Sequence, residues 1–145
     1  MTRRVVVTGM AGLCPLGMNW ETVKAKLLAK TSGVSVQPDW EGVDGLRTRL
    51  AAAVPGFERP LHYPRKKIRT MGRVALMATR ATELALEAAD FQETAALTDG
   101  RTGISYGSTS GSPPAIQNFA EQLTLHRTLS GITGAQFIQY MSHTC

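Results

Sequence analysis

Apolar residues fall along this chain in two kinds of pattern. The first is a short unbroken run: Val5-Val6-Val7, closed by Thr8-Gly9, and Ile104 to Tyr106 within Thr102-Gly103-Ile104-Ser105-Tyr106-Gly107. Such runs, bounded by glycine, predict strands buried on both faces, which need not alternate. The second pattern recurs at helical spacing. Val23, Leu27 and Leu28 follow Asn19, a good N-cap with Glu21 in the first turn, so a helix is predicted to run from there to a stop at Gly33. Between Arg69 and Phe91, residues Val74, Met77, Ala78, Ala81, Leu84, Ala85 and Ala88 form one apolar face, and the abundant alanine favours helix. Gly72 is the weak point there, costing about 1 kcal/mol relative to alanine inside a helix. Pro113 or Pro114 opens another helix, with Ile116, Phe119, Ala120 and Leu123 on one side. A last apolar segment runs from Gln136 to Cys145.

The stretch from Gln37 to Pro64 fits neither pattern. It carries Pro38, Pro55, Pro60 and Pro64, and one short strand is predicted near Thr48–Val54. The order strand, helix, helix, strand, helix, with glycine-rich strand ends, predicts an α/β fold with a mostly parallel sheet. Two strands make no stable sheet alone, so the pattern reads as the N-terminal part of a longer protein, with 1–145 as a single unit of it.

Composition narrows this only moderately. With 145 residues, 43% of them hydrophobic and 19% charged, the chain is globular and long enough to bury a core. The longest apolar run near the N-terminus is far short of the roughly 18 residues a membrane span needs, and too short for a signal peptide, so a soluble, cytoplasmic protein is expected. Cys14 and Cys145 are too few for a disulfide framework. The net charge of +5 admits an acidic partner without choosing its class.

Four candidate chemistries arise from these patterns. Gly9-Met10-Ala11-Gly12 follows a predicted strand, but Ala11 stands where a dinucleotide loop needs glycine, and Cys14-Pro15 delays the helix. Gly107-Ser108-Thr109-Ser110-Gly111 has Thr109 where a nucleophile elbow needs serine, so it reads as a small-residue strand-to-helix loop. His143-Thr144-Cys145, with Cys14, His62 and His126 elsewhere, lacks the pairing of a zinc site, and no metal or cofactor is expected. Arg65-Lys66-Lys67-Ile68-Arg69, with Arg73 one turn on, is different. Cations at a helix start oppose the macrodipole, so local stability does not account for them. Only Tyr63 lies nearby to stack on bases, so an acidic protein suits this patch better than nucleic acid.

The opening Arg3-Arg4-Val5-Val6-Val7-Thr8-Gly9-Met10, followed by Cys14-Pro15-Leu16-Gly17, resembles the start of β-ketoacyl-acyl-carrier-protein synthases of the thiolase-like condensing-enzyme superfamily. Those chains typically read R-R-V-V-V-T-G and then S-P-L-G, with Cys14 here replacing the serine. The resemblance continues through Trp20, Leu27-Leu28, Gly33, the basic segment before Met71, the alanine-rich helix, and Arg101-Thr102-Gly103-Ile104 to Gly107-Ser108. It implies a layered α-β-α fold whose N-terminal half is incomplete here, and decarboxylative Claisen condensation of acyl and malonyl-carrier protein. It also implies an acidic acyl carrier protein as partner and a homodimer in the complete form.

The family's nucleophile lies in a motif like S-x-A-C-x-S-G, which His143-Thr144-Cys145 does not match, so the resemblance gives this chain no catalytic residue. It does imply carrier-protein docking at Lys66 and Arg69, to which the cationic patch adds Lys67 and Arg73, and an acyl pocket bordered by Ser108, Ser110 and Phe137. Gly72 replaces the family's usual aspartate. Two alternatives stay open: a non-catalytic ketosynthase-like partner chain, and a basic nucleic-acid-binding module.

Overall fold

The structure is a computed structural model and describes residues 4–109 and 111–141. It divides into two compact units, Met1–Glu58 with Leu84–Asp90, and Arg59–Glu83 with Phe91–Cys145.

The first unit holds α1 (Trp20–Leu28) and the strands β1 (Ser35–Val36) and β2 (Leu50–Ala51). Asn19 caps α1 as expected, its side-chain oxygen accepting from the Thr22 N–H at 2.9 Å. The helix ends earlier than Gly33. Lys30 takes a left-handed φ of 54°, its N–H bonds to the Leu27 carbonyl, and the Thr31 N–H reaches back to Lys26. This reciprocal closure satisfies the last carbonyls without glycine. Gly33 serves packing instead, since a Cβ there would lie 2.7 Å from the Pro15 Cβ. The two short strands pair antiparallel, with Ser35 opposite Ala51 and Val36 opposite Leu50, so the strand expected near Thr48–Val54 exists in shortened form.

The second unit carries α2 (Arg65–Ile68), most of α3 (Arg73–Ala88), α4 (Pro113–Thr124) and α5 (Gly134–Tyr140). α3 is the alanine-rich helix, and its last residues belong to the first unit. It begins four residues later than predicted because Gly72 is not inside it: the Gly72 carbonyl accepts the first helical bond, from the Leu76 N–H at 3.0 Å. The interior-glycine cost therefore does not apply. α3 closes at Asp90, whose φ is 52°. α5 starts with a capping box in which Thr133 and Gln136 satisfy each other's backbone N–H groups.

Among the described residues only Ala75, Ala78, Gly111 and Ser112 are buried, and all four lie in the second unit. All four are small, and at Gly111 and at Gly72 beside Ser112 there is little room for an added atom. The rest of the expected α3 face is half-buried, apart from the exposed Ala88.

The two apolar runs read as central strands are not strands here. Residues 4–9 and 101–109 belong to no ladder among the described residues, Val5 is 95% exposed and Ile104 80% exposed. A strand exists only through hydrogen bonds to a neighbouring strand, and neither run has one within these residues. The one sheet described is the antiparallel β1–β2 pair, so the expected parallel sheet does not form among them.

Candidate functional site

The basic segment is built on one short turn. Pro64, at φ −63° and ψ 129°, sets the entry to α2, and its carbonyl accepts from the Lys67 and Ile68 N–H groups at 2.9 and 3.3 Å. Arg65, Lys66 and Lys67 therefore share a single turn and are exposed, as are Arg69 and Arg73. No carboxylate among the described residues pairs with Lys66, Lys67 or Arg69. The four predicted docking residues are thus all exposed within one stretch of chain, on α2, just after it and at the start of α3.

That stretch is fixed from two sides. The Gln139 side chain, on α5, donates to the Arg69 carbonyl at 3.0 Å. On the other side Gly72 faces Ser112, and a Cβ built on Gly72 would overlap the Ser112 Oγ and stand 2.6 Å from its Cβ. This accounts for glycine at the position where the resemblance leads one to expect aspartate: Ser112 occupies the space. Gly111 is similarly confined, at φ 59°, and a methyl group there would lie 3.1 Å from the Tyr140 carbonyl oxygen. The loop that ends at Ser112 is the one carrying Ser108, so this loop, the start of α3 and α5 meet at Gly72.

Of the expected pocket residues, Ser108 is half-buried on this loop and Phe137 lies on α5, half exposed, its ring 4.9 Å from that of Tyr140 in an edge contact. Tyr140 in turn packs on Phe119 of α4 at 5.0 Å. Ser110, His143 and Cys145 lie outside the described residues. Cys14 sits in a tight turn where Cys14 and Gly17 exchange two backbone hydrogen bonds of 3.0 Å. No cluster of metal ligands occurs among the described residues.

A polar cluster that sequence reasoning missed lies just before the basic segment. Glu83 of α3 accepts hydrogen bonds from three side chains: His62 Nε2 at 2.6 Å to Oε1, Tyr63 OH at 2.9 Å and Arg80 Nη1 at 2.5 Å to Oε2. Burial by itself would raise the Glu83 pKa. The hydrogen bonds from Arg80, His62 and Tyr63, with the Arg80 charge, outweigh it and hold the carboxyl below its ordinary value. The Arg80–Glu83 spacing is readable on any helix. The His62 and Tyr63 contacts, 21 and 20 residues away in sequence, carry no local signal.

Comparison with known proteins defines the class. The sequence pattern of the β-ketoacyl synthase N-terminal domain matches residues 2–143. This chain belongs to the β-ketoacyl synthase family. It is 34% identical over 110 residues to 3-oxoacyl-[acyl-carrier-protein] synthase 1 of Haemophilus influenzae, covering 76% of this chain and 26% of the relative. It is also 34% identical over 94 residues to nodulation protein E of Rhizobium leguminosarum bv. trifolii, covering 61% of this chain and 22% of that protein. Among solved structures it is similar to a β-ketoacyl synthase from Burkholderia phymatum, with a TM-score of 0.88 and 44% identity over 99% of this chain and 35% of that one. The ishigamide ketosynthase/chain length factor matches with a TM-score of 0.70 and 25% identity, over 96% of this chain and 34% of that one. The expected α/β fold class is that of these ketosynthases. The chain spans between about a fifth and about a third of the relatives' lengths. No helix among the described residues is long and apolar enough to cross a membrane.

Proposed function

We propose that residues 1–145 form the N-terminal part of a β-ketoacyl-[acyl-carrier-protein] synthase, a condensing enzyme of fatty acid or polyketide synthesis, and that they supply carrier-protein docking and part of the acyl pocket. The observation that carries the docking role is the exposed turn of Lys66, Lys67 and Arg69, without carboxylate partners among the described residues and followed by Arg73. An acidic helix of a carrier protein meets these three cations without first displacing an internal ion pair. Ser108, Ser110 and Phe137 are assigned to the acyl-pocket border, supported by the seating of the Ser108 loop and α5 on one another at Gly111 and Tyr140. A homodimer of the complete enzyme belongs to the same reading.

Chemistry is not assigned to these residues. The sequence holds no S-x-A-C-x-S-G motif, so the family's acyl-accepting cysteine has no match among them. This chain alone is therefore expected to form no ketoacyl product from acyl and malonyl-carrier protein.

Solvent screening keeps each docking pair to about 0–1 kcal/mol, so the patch acts chiefly through encounter rate and salt sensitivity. Titrating the chain with a fluorescent acyl carrier protein tests this. Lys66→Glu with Arg69→Glu should weaken binding by about tenfold at low ionic strength, and by less as salt rises. In a complete synthase bearing the segment, the same pair should raise KM for carrier-bound substrate and spare a small thioester. Unchanged carrier binding would sink the reading, and a salt-dependent mobility shift of duplex DNA without carrier binding would replace it with the nucleic-acid alternative.

A further inference from the structure

We infer that Glu83 is a positioning residue for the basic docking turn, acting through His62 and Tyr63. The inference rests on the docking role proposed above and adds a residue to it that carries the opposite charge. Glu83 lies on α3, more than a dozen residues after Lys66, Lys67 and Arg69 in sequence, and both of its carboxylate oxygens are used. Oε1 takes His62 and Oε2 takes Tyr63 and Arg80. The His62 and Tyr63 rings also meet edge to face, with centroids 4.7 Å apart, so the two donors form one unit. Tyr63 is followed directly by Pro64, the residue that opens α2.

The connection is short and stiff. Proline fixes φ at Pro64, and the Pro64 carbonyl holds Lys67 and Ile68, so two residues separate the Tyr63 anchor from Lys66. At the other end, Gln139 holds the Arg69 carbonyl. The turn is therefore clamped at both ends, by Glu83 before it and by Gln139 after it. A four-residue helix makes too few internal hydrogen bonds to hold its own shape, so its side-chain directions depend on such clamps. Ordering long cationic side chains before encounter lowers the entropy lost on docking.

Charge alone predicts the opposite of positioning, which makes the sign of the effect decisive. Removing a carboxylate near this group of cations should tighten an acidic partner if Glu83 acts only through its field. If Glu83 positions the turn, Glu83→Gln should weaken carrier-protein binding, by about threefold, despite the gain in net positive charge. The experiment is the titration of this chain with fluorescent acyl carrier protein. It compares wild type, Glu83→Gln, His62→Gln, His62→Ala, and the Lys66→Glu with Arg69→Glu pair, each checked for helix content by circular dichroism. His62→Gln keeps a donor to Glu83, so it should retain most of the affinity that His62→Ala loses. Tighter or unchanged binding by Glu83→Gln, with weakened binding by the Lys66/Arg69 pair, overturns the positioning role and leaves docking intact. Unchanged binding by that pair overturns docking itself. If Glu83→Gln loses helix content, His62→Ala against His62→Gln decides: equal affinity of the two overturns the inference.

Discussion

Helix α3 and the run Val5-Val6-Val7 are both rich in apolar side chains, yet only one of them is a formed element with a buried face. α3 closes its backbone bonds within itself, from Gly72 at one end to Asp90 at the other, and buries Ala75 and Ala78 to 5% exposure. The valine run has no ladder among the described residues, and Val5 stands 95% exposed. Its anchor is Gly9, where a Cβ would overlap the Ala85 carbonyl oxygen and lie 2.7 Å from the Ala89 nitrogen near the end of α3. A helix needs only its own chain, whereas a strand needs a neighbour, so equal hydrophobicity yields unequal structure.

The sharpest way to break the contrast is to crowd the well-packed side. Gly72→Ala places a methyl group into Ser112, and the Ser112 Cβ cannot rotate away, so a loss of about 1–3 kcal/mol in chemical denaturation is expected. Ser112→Gly in the same chain removes both clashing atoms and should restore most of that loss. Additive losses would show that the two residues do not share the space.

A cap in the first unit gives the next largest effect. Asn19→Ala removes the acceptor for the Thr22 N–H and should cost α1 about 1 kcal/mol, seen as lower helix content and a lower melting temperature. An unchanged melt would mean that α1 is held by packing alone.

Acid probes the second unit through Glu83. Its folded pKa is lowered, so the unfolded chain binds more protons in acid. The stability it contributes is complete above its ordinary value of 4.5 and is lost as pH falls through the lower, folded value. Wild type should therefore lose more stability than Glu83→Gln between neutral pH and pH below about 4. Parallel pH profiles for the two would remove the three-donor cluster as a source of stability.

The smallest effect is expected on the valine run. Val6→Thr changes an exposed side chain, so unfolding free energy should move by no more than about 0.5 kcal/mol. Its consequence should appear in self-association, because an exposed apolar run without a ladder partner is a template for pairing, and sedimentation at rising concentration should show a weaker tendency to associate. A large stability change would mean that the run is structurally engaged after all.

Local interactions were legible in the residues themselves. Asn19 capping α1 and the alanine-rich face of α3 each depend on neighbours within four positions, where side-chain spacing dictates contact; the Thr133–Gln136 capping box is equally local but went unread. The basic turn of Lys66, Lys67 and Arg69 was legible for the same reason, since adjacent charges on a short turn share a surface wherever the chain goes. Its supports were not. Glu83 reaching His62, Gln139 reaching Arg69 and Ser112 filling the space beside Gly72 join residues far apart in sequence, and no periodicity encodes such a meeting.

The chain by itself determined its family, the helices α1, α3 and α4 and its cationic turn, because those follow from residue type and short-range spacing. Tertiary structure alone decided that Gly72 is a place without room rather than a helix breaker, that Glu83 carries three donors, and that the two apolar runs stay outside any ladder among the described residues. The physical reason is common to all three. Steric exclusion, the hydrogen bonding of a charge and strand pairing are properties of what lies across from a residue, and the sequence specifies only what lies beside it.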